Sequence, residues 1–195
     1  MVLIGVTSGI CCGKTLVTKF FEERGAVRID CDQIVANLYK EDKELINEIT
    51  EQFGTEILNE DKTIDKKKLG QIVWHNEQKR LELDEIVHPK VFEKINYYVY
   101  DKEDIVVVEI PLLVESGMNE WFDKIIVVEI SDEEQLKRTM KKYNLTEEEA
   151  KERINTQLPI QEKLKYAHYT IDNNKTEEET KKQVEKIYEE LVKLK

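Results

Sequence analysis

The sequence predicts an α/β fold in which a parallel sheet of five strands is covered by helices. Three observations carry that expectation. Short runs rich in Val and Ile recur at 2–7, 26–29, 105–108, 125–130 and 169–171, and such unalternating runs suit strands buried on both faces. Charged stretches of helical periodicity separate them, as crossovers between parallel strands require. The first run passes through a turn of small residues straight into a helical pattern.

The 195 residues suffice for one α/β domain with small inserted subdomains and a real core. Acidic residues outnumber basic ones by 41 to 30. An extended nucleic-acid footprint needs clustered Lys and Arg, so that partner class is disfavoured. An anionic small ligand remains compatible, provided that a few side chains and backbone N–H groups build the positive field locally. The opening MVLIGVTSGI has no basic segment ahead of an apolar one, and no apolar run of membrane-spanning length occurs. A cytoplasmic protein without a membrane partner is expected, as a monomer or weak homo-oligomer. Cys11, Cys12 and Cys31 are too few and too clustered for a disulfide framework, and they lack zinc spacing.

Along the chain, the strand at 2–7 is followed by a helix from 13 or 14 to about 23, where Leu16, Val17, Phe20 and Phe21 form one stripe that stops at Gly25. The next strand, 26–29, runs into Asp30-Cys31-Asp32. From 33 to 100 no comparable apolar run appears; helical periodicity with heavy charge is broken at Gly54, near Asn59-Glu60-Asp61 and at His88-Pro89. Pro89 is expected to open a helix at its first position, where its missing N–H costs nothing. Trp74, Trp121, Tyr97 and Tyr98 fit core or subdomain packing better than base stacking. The strands at 105–108 and 125–130 resume the sheet. A charged helical stretch at 131–153 has a start signal at Thr146 and reads as a lid. After the last strand, Val184, Ile187, Tyr188, Leu191 and Val192 mark an amphipathic helix packed on the sheet. The expected organisation is a core of 1–33, 101–133 and 158–195, a helical acceptor-binding lobe at about 34–100, and a lid at about 134–157.

The strongest chemical signal is Ser8-Gly9-Ile10-Cys11-Cys12-Gly13-Lys14-Thr15, set between a buried strand and a helix. That is the context of a phosphate-binding loop, and it places the fold among P-loop NTPases. Successive N–H groups from Gly9 to Thr15 can wrap a phosphate chain, Lys14 can reach the β- and γ-phosphates, and the Thr15 hydroxyl can bind Mg²⁺. The strict pattern has Gly where this chain has Ser8, and an ordinary strand-turn-helix is the bland alternative. ATP and Mg²⁺ are the expected cofactors.

Asp30 and Asp32 follow at the carboxyl end of the next strand, where open α/β sheets bind ligands. If the strand persists, alternation puts both on one face. One carboxylate can then take a proton from an attacking hydroxyl while the other orients it or holds Mg²⁺ through water; an Asp pair there also serves as a helix cap. Glu109 sits after the third strand, at the place of an acid that binds metal. On the lid, Arg138, Lys141, Lys142 and Arg153 are cations that can close over transferring phosphates, with Arg138 and Arg153 preferred. His88 either binds an acceptor phosphate or caps the following helix.

Six blocks in order give the chain an end-to-end resemblance to the dephospho-CoA kinase family. They are Ile4 to Ile10 with Gly13-Lys14-Thr15; Ile29-Asp30-Cys31-Asp32-Gln33-Ile34; Ile86-Val87-His88-Pro89; Ile110-Pro111-Leu112-Leu113-Val114-Glu115-Ser116-Gly117; Gln135-Leu136-Lys137-Arg138 leading to Arg153-Ile154-Asn155-Thr156-Gln157; and Ala167 to Asn173. The resemblance implies an adenylate-kinase-like arrangement and phosphorylation of the ribose 3′-hydroxyl of dephospho-CoA by ATP with Mg²⁺. It implies that Asp32 is the catalytic base and Asp30 its support. Lys14 and the main chain of Cys11, Cys12, Gly13, Thr15 and Leu16 fall on the ATP-phosphate segment, Arg138 on a lid arginine, and Asn173 beside the adenine. The family usually has Gly at positions 8 and 11, and Arg where this chain has Lys142, a change that keeps charge but loses the bidentate fork. Another small-molecule or nucleoside monophosphate kinase of the same fold, or a non-catalytic ATP-binding protein, is the alternative reading.

Overall fold

A computed structural model of the chain describes residues 1–73, 76–100 and 104–194; Trp74 and His75 lie outside the described residues. In chain order the elements are β1 (Val2–Ser8), α1 (Lys14–Glu23), β2 (Val27–Asp30), α2 (Cys31–Glu41), α3 (Lys43–Phe53), α4 (Lys66–Val73), α5 (Glu77–Val99), β3 (Ile105–Glu109), β4 (Lys124–Glu129), α6 (Asp132–Tyr143), α7 (Glu147–Ile154), α8 (Ile160–Leu164), β5 (Tyr169–Asp172) and α9 (Glu177–Val192). They form two compact units, one of Met1–Asp30 with Asp101–Lys195 and one of Cys31–Tyr100.

The first unit holds a five-stranded parallel sheet in the order β2-β3-β1-β4-β5. Every residue of β1 and β3 is buried, which is why these strands read as continuous apolar runs instead of alternating. Val2, Ile4 and Val6 of β1 pack with Val107, Ile126, Val128 and Ile171 against Val17, Phe20 and Phe21 of α1 and Val184, Ile187 and Leu191 of α9. Each such side chain contributes roughly 1.5–3 kcal/mol when fully buried. Parallel register brings the carboxyl ends of the strands to one edge: Asp30 pairs with Glu109, Val6 with Glu109, Ser8 with Val128 and Glu129 with Asp172.

One expectation about this unit changes. The strand carrying Asp30 stops at that residue and α2 begins at Cys31, so Asp30 and Asp32 do not alternate along one strand face. The start signal at Thr146 holds: the charged stretch forms two helices, α6 and α7, parted where Asn144 takes a left-handed conformation (φ 53) and Thr146 opens the second with a full capping box.

The second unit is helical. Asp42 accepts from the Leu45 N–H at 3.0 Å to start α3, and Gly54 ends it with φ 90. A single antiparallel bridge, Leu58 to Ile64, closes the turn that contains Asn59, Glu60 and Asp61. Pro89 does not open a helix: it lies inside α5. Proline there forfeits one backbone hydrogen bond, but Val87, Val91, Ile95 and Val99 are all buried at a four-residue spacing on both sides of it, and α5 packs on α2, α3 and α4. That stripe holds the helix through the break. Tyr97 and Tyr98 are 76% and 47% exposed, so they are surface residues of α5 and not part of a core. No helix among the described residues is long and apolar enough to cross a membrane.

Candidate active site

The loop between β1 and α1 is shaped by two left-handed residues, Cys11 (φ 59) and Gly13 (φ 92). For a residue with a Cβ that conformation costs roughly 1–2 kcal/mol, and Cys11 accepts it. Gly13 has no alternative, because a Cβ there would run into Nδ2 of Asn173. The loop is held from outside by side chains far along the chain. Gln135 Nε2 donates to the Ile10 carbonyl at 3.0 Å, and Asn173 Nδ2 to the Cys12 carbonyl at 2.9 Å. The Cys12 N–H closes a turn onto the Gly9 carbonyl at 3.4 Å, and the N-terminus of α1 offers its partial positive charge to an anion. Ser8 is buried and its hydroxyl donates to the Gly9 carbonyl at 2.8 Å. Leu16 turns its N–H to the Gly13 carbonyl at 3.0 Å and packs its side chain on the core. Cys12 is buried, and desolvation pushes its thiol up to about 11, with the neighbouring Cys11 adding to the rise. It stays a thiol at neutral pH.

Beneath the loop, Glu109 is the hub of the charged network. Its Oε1 accepts from Lys14 Nζ at 2.7 Å and Thr15 Oγ1 at 2.5 Å, and its Oε2 from Arg28 at 2.7 Å and Thr18 Oγ1 at 2.9 Å. Burial by itself raises a carboxyl, yet the donors from Lys14, Thr15 and Arg28 more than offset it and hold Glu109 down at about 2. Thr15 and Glu109 are hard oxygen donors of the kind that Mg²⁺ prefers, and one or two protein oxygens suffice for an ion that keeps water and phosphate in the rest of its shell. Among the described residues no three His, Cys, Asp or Glu converge to hold a metal by themselves.

On the other side of the loop, Arg138 of α6 donates from Nε to Glu134 at 2.8 Å and from its fork to the Asn173 carbonyl at 3.1 Å. Asn173 is buried between the loop and α9, its Oδ1 accepting from Thr180 Oγ1 at 2.8 Å. Arg138 and Asn173 therefore meet, and Asn173 adjoins Gly13.

A model of the dephospho-CoA kinase family matches residues 2–179. The chain belongs to that family. Dephospho-CoA kinases of Bacillus cereus and Aquifex aeolicus are 43% and 40% identical to it, each alignment spanning 95% or 96% of both chains. The solved dephospho-CoA kinase from Campylobacter jejuni is 34% identical, superposes with a TM-score of 0.69, and is covered over 97% of its length by 98% of this chain. The P-loop α/β fold expected from the sequence is the fold of this family.

The remaining residues singled out in the sequence fall as follows. Asp30 ends β2, 3.9 Å from Arg28, and Asp32 lies in the first turn of α2, where a carboxylate is favoured by the helix dipole. His88 sits within α5, so there is no following helix for it to cap; its Nε2 is 3.4 Å from Asp84 one turn earlier, and burial holds it below the ordinary range although Asp84 pulls it up. Arg153 lays its guanidinium 3.9 Å over the Tyr143 ring, joining α7 to the end of α6, and Lys142 lies 5.4 Å over the same ring.

Four residues bonded to the loop or to Glu109 were given no role from the sequence, Gln135 appearing only at the head of a family block: Arg28, Thr18, Gln135, and Lys163, whose Nζ donates to the Ser8 carbonyl at 3.2 Å. Arg28 had a signal, since a charged residue inside the short strand of Val27, Arg28, Ile29 and Asp30 needs a buried partner. Thr18 stands one helical turn after Lys14 and Thr15 and so shares their face. Gln135 and Lys163 lie in charged helices where nothing in the local pattern separates a buried polar side chain from a solvated one.

Proposed function

We propose that the chain catalyses ATP-dependent phosphorylation of the ribose 3′-hydroxyl of dephospho-CoA, giving coenzyme A and ADP. Family membership carries the substrate, and the loop from Ser8 to Thr15, with its carbonyls tied down by Gln135 and Asn173, carries the phosphate chemistry. In this reading Lys14 exchanges its pairing with Glu109 for the transferring phosphates, and the loop N–H groups bind the phosphate chain. Arg138 lies against the nucleotide beside Asn173, and Arg153 supplies lid charge. Asp32 takes the proton of the attacking hydroxyl, Asp30 supports it, and His88 contributes to acceptor binding. Thr15, with Glu109 or Asp30 through water, would hold Mg²⁺, which when bound neutralises charge on the phosphates. No covalent enzyme intermediate is needed, since positioning and charge stabilisation supply most of the acceleration. The enzyme works in the cytoplasm, as a monomer or weak homo-oligomer, without nucleic acid or membrane.

The test is ADP and CoA formation from ATP, Mg²⁺ and dephospho-CoA, run beside AMP as acceptor. Turnover with dephospho-CoA alone is expected. Turnover with AMP would move the function to a nucleoside monophosphate kinase, and ATP binding without any transfer would leave a binding protein.

A further inference from the structure

Lys163 of α8 is fully buried, with no exposed side-chain surface. A buried ammonium is costly unless its donors are matched, and three oxygens match them: Glu115 Oε1 at 2.7 Å, the Pro111 carbonyl at 3.0 Å and the Ser8 carbonyl at 3.2 Å. The third partner is the first residue of the phosphate loop. Glu115 Oε1 also accepts from the Leu158 N–H at 3.1 Å, so the same cluster fastens the segment leaving α7.

The consequence follows from peptide geometry. In a planar trans unit the carbonyl and the next N–H point in opposite directions. Drawing the Ser8 carbonyl inward to Lys163 therefore turns the Gly9 N–H away from the core. Gly9 lines a cavity of about 380 Å³ whose walls include Gln135, Asn155, Gln157 and Pro159. We propose that Lys163 is a positioning residue for nucleotide binding, which orients the first peptide of the phosphate loop so that the Gly9 N–H is presented to the phosphates. The Ser8 hydroxyl donates to the Gly9 carbonyl at 2.8 Å, while the Ser8 carbonyl accepts from Lys163 at 3.2 Å. The inference rests on the reading of this loop as the ATP-phosphate site.

The experiment measures ADP affinity by calorimetry, without acceptor, for the full-length wild type and for Lys163→Met, which keeps the length and loses every donor. A lost charge-assisted hydrogen bond weakens binding about tenfold or more. That loss is expected in ADP affinity and in KM for ATP, while KM for dephospho-CoA stays within about twofold. A folded Lys163→Met that binds ADP as the wild type does would overturn the proposal, because a purely structural role lowers the melting temperature and the active fraction without moving either constant. Lys163→Gln, which retains a donor, is judged by the same affinity if the Met variant does not fold. Glu115→Gln keeps both carbonyl contacts of Lys163 and is expected to change ADP affinity by less than about threefold. If it weakened ADP as much as Lys163→Met, the effect would run through the ion pair and not the Ser8 carbonyl, and the proposal would fail. Absence of ADP binding in the wild type would instead overturn the nucleotide reading itself.

Discussion

The sheet unit and the helical unit are built to different rules. Among the described residues the buried polar or charged side chains are Thr7, Ser8, Thr18, Glu109, Gln135, Thr139, Lys163, Asn173 and Thr180, all in the sheet unit. The interior of the helical unit is apolar, with Leu45, Ile49, Phe53, Ile57, Leu69 and Ile95 at its centre. Burying a polar group is tolerable only when it is hydrogen-bonded, and here the bonds converge on one loop. An anion met by main-chain N–H groups needs those groups fixed beforehand. In the helical unit Asp32 is exposed in the first turn of α2, and His88 is half-buried within α5 beside Asp84. Hydrogen bonding by buried side chains is concentrated around the loop from Ser8 to Thr15, and the core of the helical unit is built without it.

That contrast is broken most severely if Asp32→Asn disturbs folding. The substitution is expected to lower kcat with dephospho-CoA by about 10²–10⁴-fold, with ADP affinity and the urea midpoint unchanged. Next in size is the stability held by Glu109. Its carboxyl is depressed to about 2, so its contribution is complete above the ordinary value of about 4.5 and is lost as pH falls toward 2. The loss is on the order of 3 kcal/mol. Urea unfolding of the wild type at pH 7 and pH 3 should show about 2 kcal/mol of that loss, and Glu109→Gln should flatten that part of the pH slope. Arg138→Ala should raise KM for ATP about tenfold by removing a charge-assisted donor, and Arg153→Ala should slow transfer; if both left transfer untouched, the lid roles would be abandoned. The smallest effect sharpens the comparison from the other side. Tyr97→Ser, at a side chain 76% exposed on α5, should shift unfolding by less than about 0.5 kcal/mol.

The strands were legible because burial on both faces leaves unbroken Val and Ile, as in Val106, Val107 and Val108. The phosphate loop was legible because its chemistry is local: a turn of small residues, then Lys14 and Thr15 at a helix start. Pro89 misled because a local rule about proline gave way to a buried stripe that only packing reveals. Tyr97 and Tyr98 misled in the opposite sense, since aromatic character does not say which face of α5 is covered. The inward contacts of Lys163 and Gln135 were not legible for a third reason. Their partners, Ser8 and Ile10, are more than a hundred residues away, and a charged helix gives no sign of which side chain turns inward.

One contact has a bearing on how such a sequence can drift. Gly13 and Asn173 stand near opposite ends of the chain, and the amide of one occupies the space that a methyl group on the other would need. Neither position is free to vary alone: a larger residue at 13 demands a smaller one at 173, and that exchange would strip the Cys12 carbonyl and the Thr180 hydroxyl of their shared partner. An altered loop at this point therefore costs both contacts together, because the space and the two hydrogen bonds belong to one amide.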